Sequence, residues 1–337
     1  MASTQFSSIR AAPVQSVQEL IKEPIPAVPQ PFILDDPQPP ILSASTPLPQ
    51  LPTIDMKHLI MSETAGSELE KLHSTCKEWG FFQLVNHGVS SSLMEKLKSE
   101  IGEFYKLPLE ERMKYKMRPG DVEGYGLSPI RSEDKKLDWG DRFFMVTNPI
   151  HTRKPYLLPE LPPALRFSHH HHILLLLLLL SAIYKLAMLL LGFMAKALKL
   201  EKGEMEELFD DGMQSVRMTY YPPCPQPELD GVWIPVSFLP DALVVNVGDI
   251  LEILSNGVYT SIEHRATVNA AKERISIAMF FNPKSSAQIK PAASLINPQN
   301  PPLFKQVGME KYFKDFFSRK LDGKSYLEHM KIKNEEA

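Results

Sequence analysis

Three side chains in the last third of the sequence have types and spacing suited to chemistry: His264, Arg274 and Ser276. On a strand over 261–268, positions 262, 264, 266 and 268 share a face, because successive strand residues point to opposite sides. Those positions are Ile262, His264, Ala266 and Val268, so His264 is expected to point inward among apolar neighbours. On a strand starting at Arg274, one face carries Arg274, Ser276, Ala278 and Phe280. A guanidinium and a hydroxyl side by side on an inward face require an anion, since a buried, unpaired cation is expensive. A carboxylate matches the guanidinium fork, and a small dicarboxylic acid fits the charge and size of such a place. Two plainer readings stand beside this one. A lone inward His is more often a core residue than a ligand, and Asp249, Glu263 and Glu273 lie near enough in sequence to pair with Arg274.

A metal needs more than His264. None of the ten His residues has Asp or Glu two positions later, the spacing that puts two donors on one face of a strand. The four His at 169–172 can chelate metals as any such run can. They open a segment, 167–182, that ends in a run of Leu and reads as a low-complexity intrusion.

The elements that must position these residues follow from periodicity. Leu69, Leu72, Cys76 and Trp79 fall at helical spacing over 67–79. The aromatic and β-branched run 81–85, closed by Asn86, His87 and Gly88, reads as a strand and a turn. A helix starts near Ser91 or Ser92, either of which can cap it, and buries Leu93, Leu97, Ile101, Phe104 and Tyr105. Pro108 opens a third helix with Glu110 and Glu111 where the macrodipole favours acids. A buried helix is expected over 183–198. Short strands are expected at 233–236, 242–247, 250–254, 261–268 and 274–281, the pattern of a sandwich or barrel. Helical spacing returns over 309–330. The fold class is therefore α+β, a β core flanked by N-terminal and C-terminal helices.

The chain has 337 residues, enough for one large domain or two small ones. It divides into a Pro-rich arm (1–52), a helix and strand region (53–166), the His/Leu insert (167–182), helices (183–212), the β core (213–300) and a C-terminal helical segment (301–337). Ten of its 30 Pro fall between 24 and 52, which makes the arm extended and irregular; it either lies over the domain or serves as a linker. A net charge of −3 offers nucleic acid and anionic membranes no electrostatic attraction. Two Cys are too few for a disulfide framework and point to a reducing, cytoplasmic setting. The polar N-terminus carries no secretory signal. The apolar run through 173–194 has the length of a membrane span, but Lys185 near its centre would cost about 2.5–3.5 kcal/mol there. No membrane is expected, and the chain is expected to be a monomer.

Several motifs carry a resemblance. Val244-Val245-Asn246-Val247-Gly248-Asp249, Ser261-Ile262-Glu263-His264-Arg265-Ala266 and Glu273-Arg274-Ile275-Ser276-Ile277-Ala278 are three of them. The run from Met218 to Glu228 through Tyr220-Tyr221-Pro222-Pro223-Cys224-Pro225, the run Trp79-Gly80-Phe81-Phe82-Gln83-Leu84-Val85-Asn86-His87-Gly88, and Arg118-Pro119-Gly120-Asp121-Val122-Glu123-Gly124-Tyr125-Gly126 are the others. Together they resemble the plant 2-oxoglutarate- and Fe(II)-dependent dioxygenases, in their senescence-related, codeine O-demethylase and norcoclaurine-synthase-like branch. The likeness covers nearly the whole chain except roughly 167–182. It implies a double-stranded β-helix (jelly-roll) core, Fe(II) and 2-oxoglutarate as metal and cosubstrate, ascorbate as an accessory, and O2 with a small aromatic metabolite as reactants. The resemblance makes His264 the distal His of a 2-His-1-carboxylate triad, and Arg274 and Ser276 the pair that takes the far carboxylate of 2-oxoglutarate. It makes Tyr221 a further contact to the cosubstrate and His87 a structural residue. Thr219 stands where many relatives have Asn.

The pattern breaks between Glu228 and Trp233. There the family carries a His-x-Asp pair, whereas here Glu228-Leu229 runs directly into Asp230-Gly231-Val232-Trp233. The expectation is an incomplete jelly roll with His264 as the sole remaining iron ligand. Asp230 reads as the start of an Asp-Gly turn rather than a substitute carboxylate. A non-catalytic family member, or a splice variant or faulty gene model that also produced the His/Leu tract, is the alternative.

Overall fold

Hydrophobic periodicity and local caps account for most elements. The computed structural model describes residues 16–23, 25, 27–33, 50–61, 63–127, 136–157, 171–225, 236–264, 266, 268–318 and 324–333, with side chains from 177 onward in the long central helix. Helix α1 (Val17–Leu20) starts at Ser16, whose hydroxyl accepts the Glu19 N–H. Strand β1 (Thr53–Asp55) runs into α2 (Met56–Ile60), where the Asp55 carboxylate accepts from the N–H of Lys57 and His58. Next come α3 (Ala65–Glu78), β2 (Phe81–Val85) and α4 (Ser91–Lys106). Ser90, one residue earlier than expected, caps α4 by accepting from Leu93 N–H. Leu97, Ile101, Phe104 and Tyr105 form its buried stripe. Pro108 precedes the short α5 (Leu109–Met113) with both acids in its first turn. The chain continues through β3 (Gly124–Gly126), β4 (Asp141–Asn148), α6 (His171–Ala197), α7 (Glu206–Phe209), β5 (Met213–Tyr221), β6 (Leu243–Asn246) and α8 (Asp249–Leu254). It ends with β7 (Arg274–Asn282), β8 (Gln288–Ile289), β9 (Val307–Gly308), α9 (Met309–Ser318) and α10 (Ser325–Met330).

Two sheets organise the fold. One has the order β1-β2-β6, with β1 parallel and β6 antiparallel to β2; the other is the antiparallel β3-β4-β5-β7. One face of the second sheet carries the buried Phe143, Met145, Val216 and Met218 and packs on helices. The α4 backbone at Gly102 leaves room only for contact with Ile275 Cδ1, 3.5 Å from where a Cβ would sit. The Tyr105 hydroxyl donates to Met218 O at 2.9 Å, and its ring stacks on Tyr220 with centroids 5.4 Å apart. The opposite face carries Arg217, Thr219, Tyr221, Arg274, Ser276, Ala278 and Phe280. Phe280 is 38% exposed there. The architecture is α+β, as the periodicity implied.

The structure corrects three expectations. The run 250–254 is helix α8, not a strand: Ile250, Leu251, Ile253 and Leu254 are buried at helical spacing, with Asp249 and Glu252 in the first turn. The run 261–264 is irregular rather than a strand, and His264 is exposed rather than inward. No neighbouring strand pairs with it among the described residues, so its backbone has no ladder to join. The helix expected over 183–198 starts earlier, within the Leu tract: α6 is continuous from His171, Leu179 and Leu180 are buried, and Gln214 Nε2 donates to Leu180 O at 3.0 Å. Leu is among the strongest helix formers, which is why the run simply lengthens the helix. The expected strand at 233–236 falls almost wholly outside the described residues, as do the His at 169 and 170, the side chains of His171 and His172, and Asp230.

The described part of the N-terminal arm lies over the domain. Val17, Val28 and Phe32 pack with Leu127, Leu137, Trp139 and Cys224. Val17 N–H donates to Asp141 Oδ1 at 2.6 Å, and the Ser16 hydroxyl hydrogen-bonds the same carboxylate. Arg112 joins this buried set, reaching Asp141 at 3.3 Å, Glu19 at 2.7 Å and the Tyr125 hydroxyl at 2.6 Å.

Candidate functional site

The candidate site forms where β5 and β7 meet. Their antiparallel register sets Thr219 opposite Ser276 and Tyr221 opposite Arg274. Directly opposite residues project on the same side, so all four share the open face of the sheet. Upstream, Gly140 leads into β4 so tightly that a Cβ there would sit 2.9 Å from Tyr220 O and 3.0 Å from Tyr221 Cδ1. Downstream, Cys224 N–H donates to Asn269 O at 2.9 Å and ties the Pro-rich exit of β5 to the approach to β7.

Here lies a half-open cavity of ≈ 330 Å³ lined by Tyr221, Phe238, Val268, Asn269, Lys272, Glu273 and Arg274. The guanidinium of Arg274 lies over the Tyr221 ring, 5.2 Å from its centroid. Its Nη1 is buried and, among the described residues, has no hydrogen-bond partner. The ring offsets part of that burial, about 0.5–2 kcal/mol. An unsatisfied buried donor costs about 1–3 kcal/mol, and more when charged. The atom is therefore left wanting an acceptor. The acids near Arg274 in sequence do not supply one: Asp249 pairs with Lys324, and Glu273 Oε2 accepts from the Tyr220 hydroxyl at 2.5 Å. Burial, with that bond to Glu273 second, pushes the Tyr220 hydroxyl well above its ordinary range, so Tyr220 remains a donor. Ser276 shares the face but is not part of the cavity wall.

His264 is held elsewhere. The close approach of Gly80 (φ 60) to Thr260, where a Cβ would lie 1.9 Å from the Thr260 carbonyl oxygen, brings the 260–264 segment beside β2. There the imidazole lies 5.7 Å from the Phe81 ring. Its Nδ1 is 3.0 Å from Ile262 O, which can only accept, so Nδ1 carries the proton. Its Nε2 is 2.8 Å from Asn246 Nδ2 and accepts from that amide. The lone pair a metal would use is thereby engaged. His264 does not line the cavity, and among the described residues no three His, Cys, Asp or Glu are grouped to hold a metal ion. His87 is structural, as expected: Nε2 bonds to Asp241 O at 2.8 Å and Nδ1 accepts from Val89 N–H.

The residues present thus fit a small carboxylate at Arg274 and, among the described residues, do not fit a three-donor iron site. The sequence reading found Tyr221, Arg274 and Ser276 but missed Lys272, Asn269, Phe238 and Asn246. Lys272 was the legible one, sitting two residues before Arg274. Asn246 lay within a quoted motif, but nothing local announced its partner, which comes from another part of the chain.

Comparison with known proteins places these features. A family model described as non-haem dioxygenase in morphine synthesis N-terminal matches residues 51–164. A second, described as 2OG-Fe(II) oxygenase superfamily, matches residues 228–283. The oxoglutarate-dependent flavonoid 7-O-demethylase 1 of Ocimum basilicum is 44% identical, spanning 96% of this chain and 93% of that one. Codeine O-demethylase of Papaver somniferum is 43% identical, spanning 95% and 96%. The crystal structure of JOX2 in complex with 2OG, Fe, and JA superposes with a TM-score of 0.83 at 29% identity, covering 96% of this chain and 99% of that one.

Proposed function

Because the chain belongs to the plant 2-oxoglutarate- and Fe(II)-dependent oxygenases, with their double-stranded β-helix fold, we propose that it is an oxygenase of small aromatic specialised metabolites whose own turnover is impaired by the loss of two iron ligands. Fe(II) and 2-oxoglutarate are the metal and cosubstrate of the family. The chemistry in view is hydroxylation, O-demethylation or desaturation, and the demethylase relatives favour the second. Within this chain, Arg274 and Tyr221 would anchor the cosubstrate's far carboxylate, with Ser276 beside them and ascorbate as an accessory reductant. His264 holds the place of the one remaining iron ligand in the family pattern, with its Nε2 lone pair taken up by Asn246. On the same reading the protein is a cytoplasmic monomer that meets O2 and a small molecule, with no nucleic-acid or membrane partner. Among the described residues one helix, over Leu177–Ala197, is long and apolar enough to cross a membrane, but it packs into the core through Leu179, Leu180, Leu186, Leu190 and Met194.

The observation that carries the impairment is the engagement of both His264 nitrogens by Ile262 and Asn246. The test is turnover: the purified chain with Fe(II), ascorbate and labelled 2-oxoglutarate, with and without flavonoid and alkaloid methyl ethers. We expect no succinate above the enzyme-free background. Stoichiometric succinate release would refute the proposal. A second reading, that the sequence is a splice variant or faulty gene model of an active enzyme, draws support from one fact. The alignment with the basil demethylase runs over 355 positions, more than this chain's 337 residues, so that relative carries residues without counterpart here. Transcript sequencing across 167–182 and 228–230 separates the two: a restored His-x-Asp segment favours the second.

A further inference from the structure

We propose that the outer edge of β7 is an interaction surface whose partner is β7 of a second copy of this chain. The two strands pair antiparallel about Ala278 and join two four-stranded sheets into one. The proposal does not depend on the iron reading, and the single chain is the dilute end of this equilibrium. Three observations carry it. First, β7 ends its sheet, in the order β3-β4-β5-β7. Along an antiparallel strand, alternate residues turn their N–H and C=O to opposite edges, so β5 satisfies about half of them. Among the described residues no backbone bond reaches Arg274–Asn282 from the far side. Unpaired donors and acceptors in a row are a template for another strand.

Second, β7 lacks what keeps an edge solitary. Native edges are short, bulged, or carry Lys or Pro. The opposite edge of this sheet, β3, has three residues, and the edges of the β1-β2-β6 sheet have three and four. β7 has nine, pairs with β5 without a register shift, and runs from Ile275 to Phe281 with no charge, Pro or Gly. None of its residues is buried, whereas six of the nine in β5 are. Third, the strand complements itself in one direction. Its single charge, Arg274, stands at an end. Parallel pairing in register would set two guanidinium groups side by side, and like charges opposite each other are destabilising. Antiparallel pairing about Ala278 sets Arg274 against Asn282 of the second copy, Ile275 against its Phe281 and Ile277 against its Met279. Aromatic and β-branched cross-strand pairs of this kind stabilise sheets. The two-fold contact uses both long edges, so assembly stops at two copies. A strand edge is a small interface, so the Kd should be on the order of micromolar.

Sedimentation equilibrium of the full chain tests this, together with hydrogen exchange read by mass spectrometry at low and high concentration. We expect a monomer–dimer equilibrium, with exchange over Ile275–Phe281 slowing as the dimer fills. Ala278 meets its own copy across the axis. Ala278→Lys and Ala278→Glu should each weaken association about tenfold through like-charge contact, while Ala278→Ser stays within about twofold of wild type. An equimolar mixture of the Lys and Glu variants should recover the dimer, because opposite charges then meet. That arm separates lost pairing from lost folding, since misfolded variants would not rescue each other. A monomer at every concentration, or growth beyond two copies, would overturn the proposal. So would slowed exchange confined to another surface, such as the exposed Leu178 and Leu189 of α6, or no recovery in the mixture.

Discussion

Arg274 and Asp141 are both ionic groups at the ends of sheet strands, yet they behave oppositely. Among the described residues, Arg274 has an unfilled hydrogen-bonding position, which suits a ligand. Asp141, fully buried, has Ser16, Val17, Tyr125 and Arg112 around it, which suits structure. Removing a partner from a buried pair strands the other charge, at about 3–5 kcal/mol. Asp141→Ala should lower stability by that order, read from urea midpoints at constant slope. His264 makes a sharper residue-level prediction. Long-range proton–nitrogen correlation should find its proton on Nδ1, and Asn246→Ala should leave Nε2 without its donor; an Nε2–H form in the wild type would contradict the geometry. Asp121 gives a pH prediction. Burial alone would raise its carboxyl, but the hydrogen bond from Lys154 and those from the N–H groups of Glu123 and Val122 outweigh it and hold the group below its ordinary 3.8. A depressed folded value adds stability above the unfolded one and loses it as pH falls through the folded one. Asp121→Asn should therefore flatten the acid limb of a stability-against-pH curve while leaving its shape near neutrality unchanged.

At the scale of elements, α6 decides how the His/Leu tract should be regarded. Leu179 and Leu180 are 2% exposed. Leu180→Ala should cost about 2–5 kcal/mol, whereas Leu178→Ala, at a site 51% exposed, should stay within about 0.5 kcal/mol. Equal, negligible effects would show the tract to be an appendage after all. The same contrast explains what was legible beforehand. Helices α3 and α4 follow from periodic patterns of 14 and 16 residues, and strands β2, β6 and β7 from β-branched and aromatic runs, and all emerged within a residue or two of expectation. Arg274 and Ser276 came with them, because a strand's alternation alone fixes which residues share a face, whereas Tyr221 came only from the family resemblance. The segments 250–254 and 261–264 were misread for a common reason. A short apolar run is helix or strand according to its neighbours, and the neighbours here are set by distant parts of the chain. The exposure of His264 was illegible on the same ground: inward and outward have meaning only on a strand paired into a sheet, and 261–264 is not one.

At the scale of the whole molecule, the four-stranded sheet has a helix-covered side and, among the described residues, an under-covered one, where Phe280 and the cavity-lining Phe238 are 38% and 61% exposed. Reinserting the basil demethylase's counterpart of the junction at 228–230 should bury these rings and raise the thermal midpoint. It should also create stabilisation by Mn(II), about 2.7 kcal/mol at a hundredfold excess over Kd, that this chain lacks. Differential scanning calorimetry with and without Mn(II) reads both effects, and a metal-dependent rise in the unmodified chain would sink the expectation. The clasp between Ser16 and Asp141, 125 positions apart, bears on how the protein is made. The ribosome releases one half of that clasp long before the other, so α1 must wait, unsecured, until β4 has been synthesised and paired. Trimming from the front end has a natural stopping point as well: cut past Val17, and two of Asp141's four partners leave with the discarded piece.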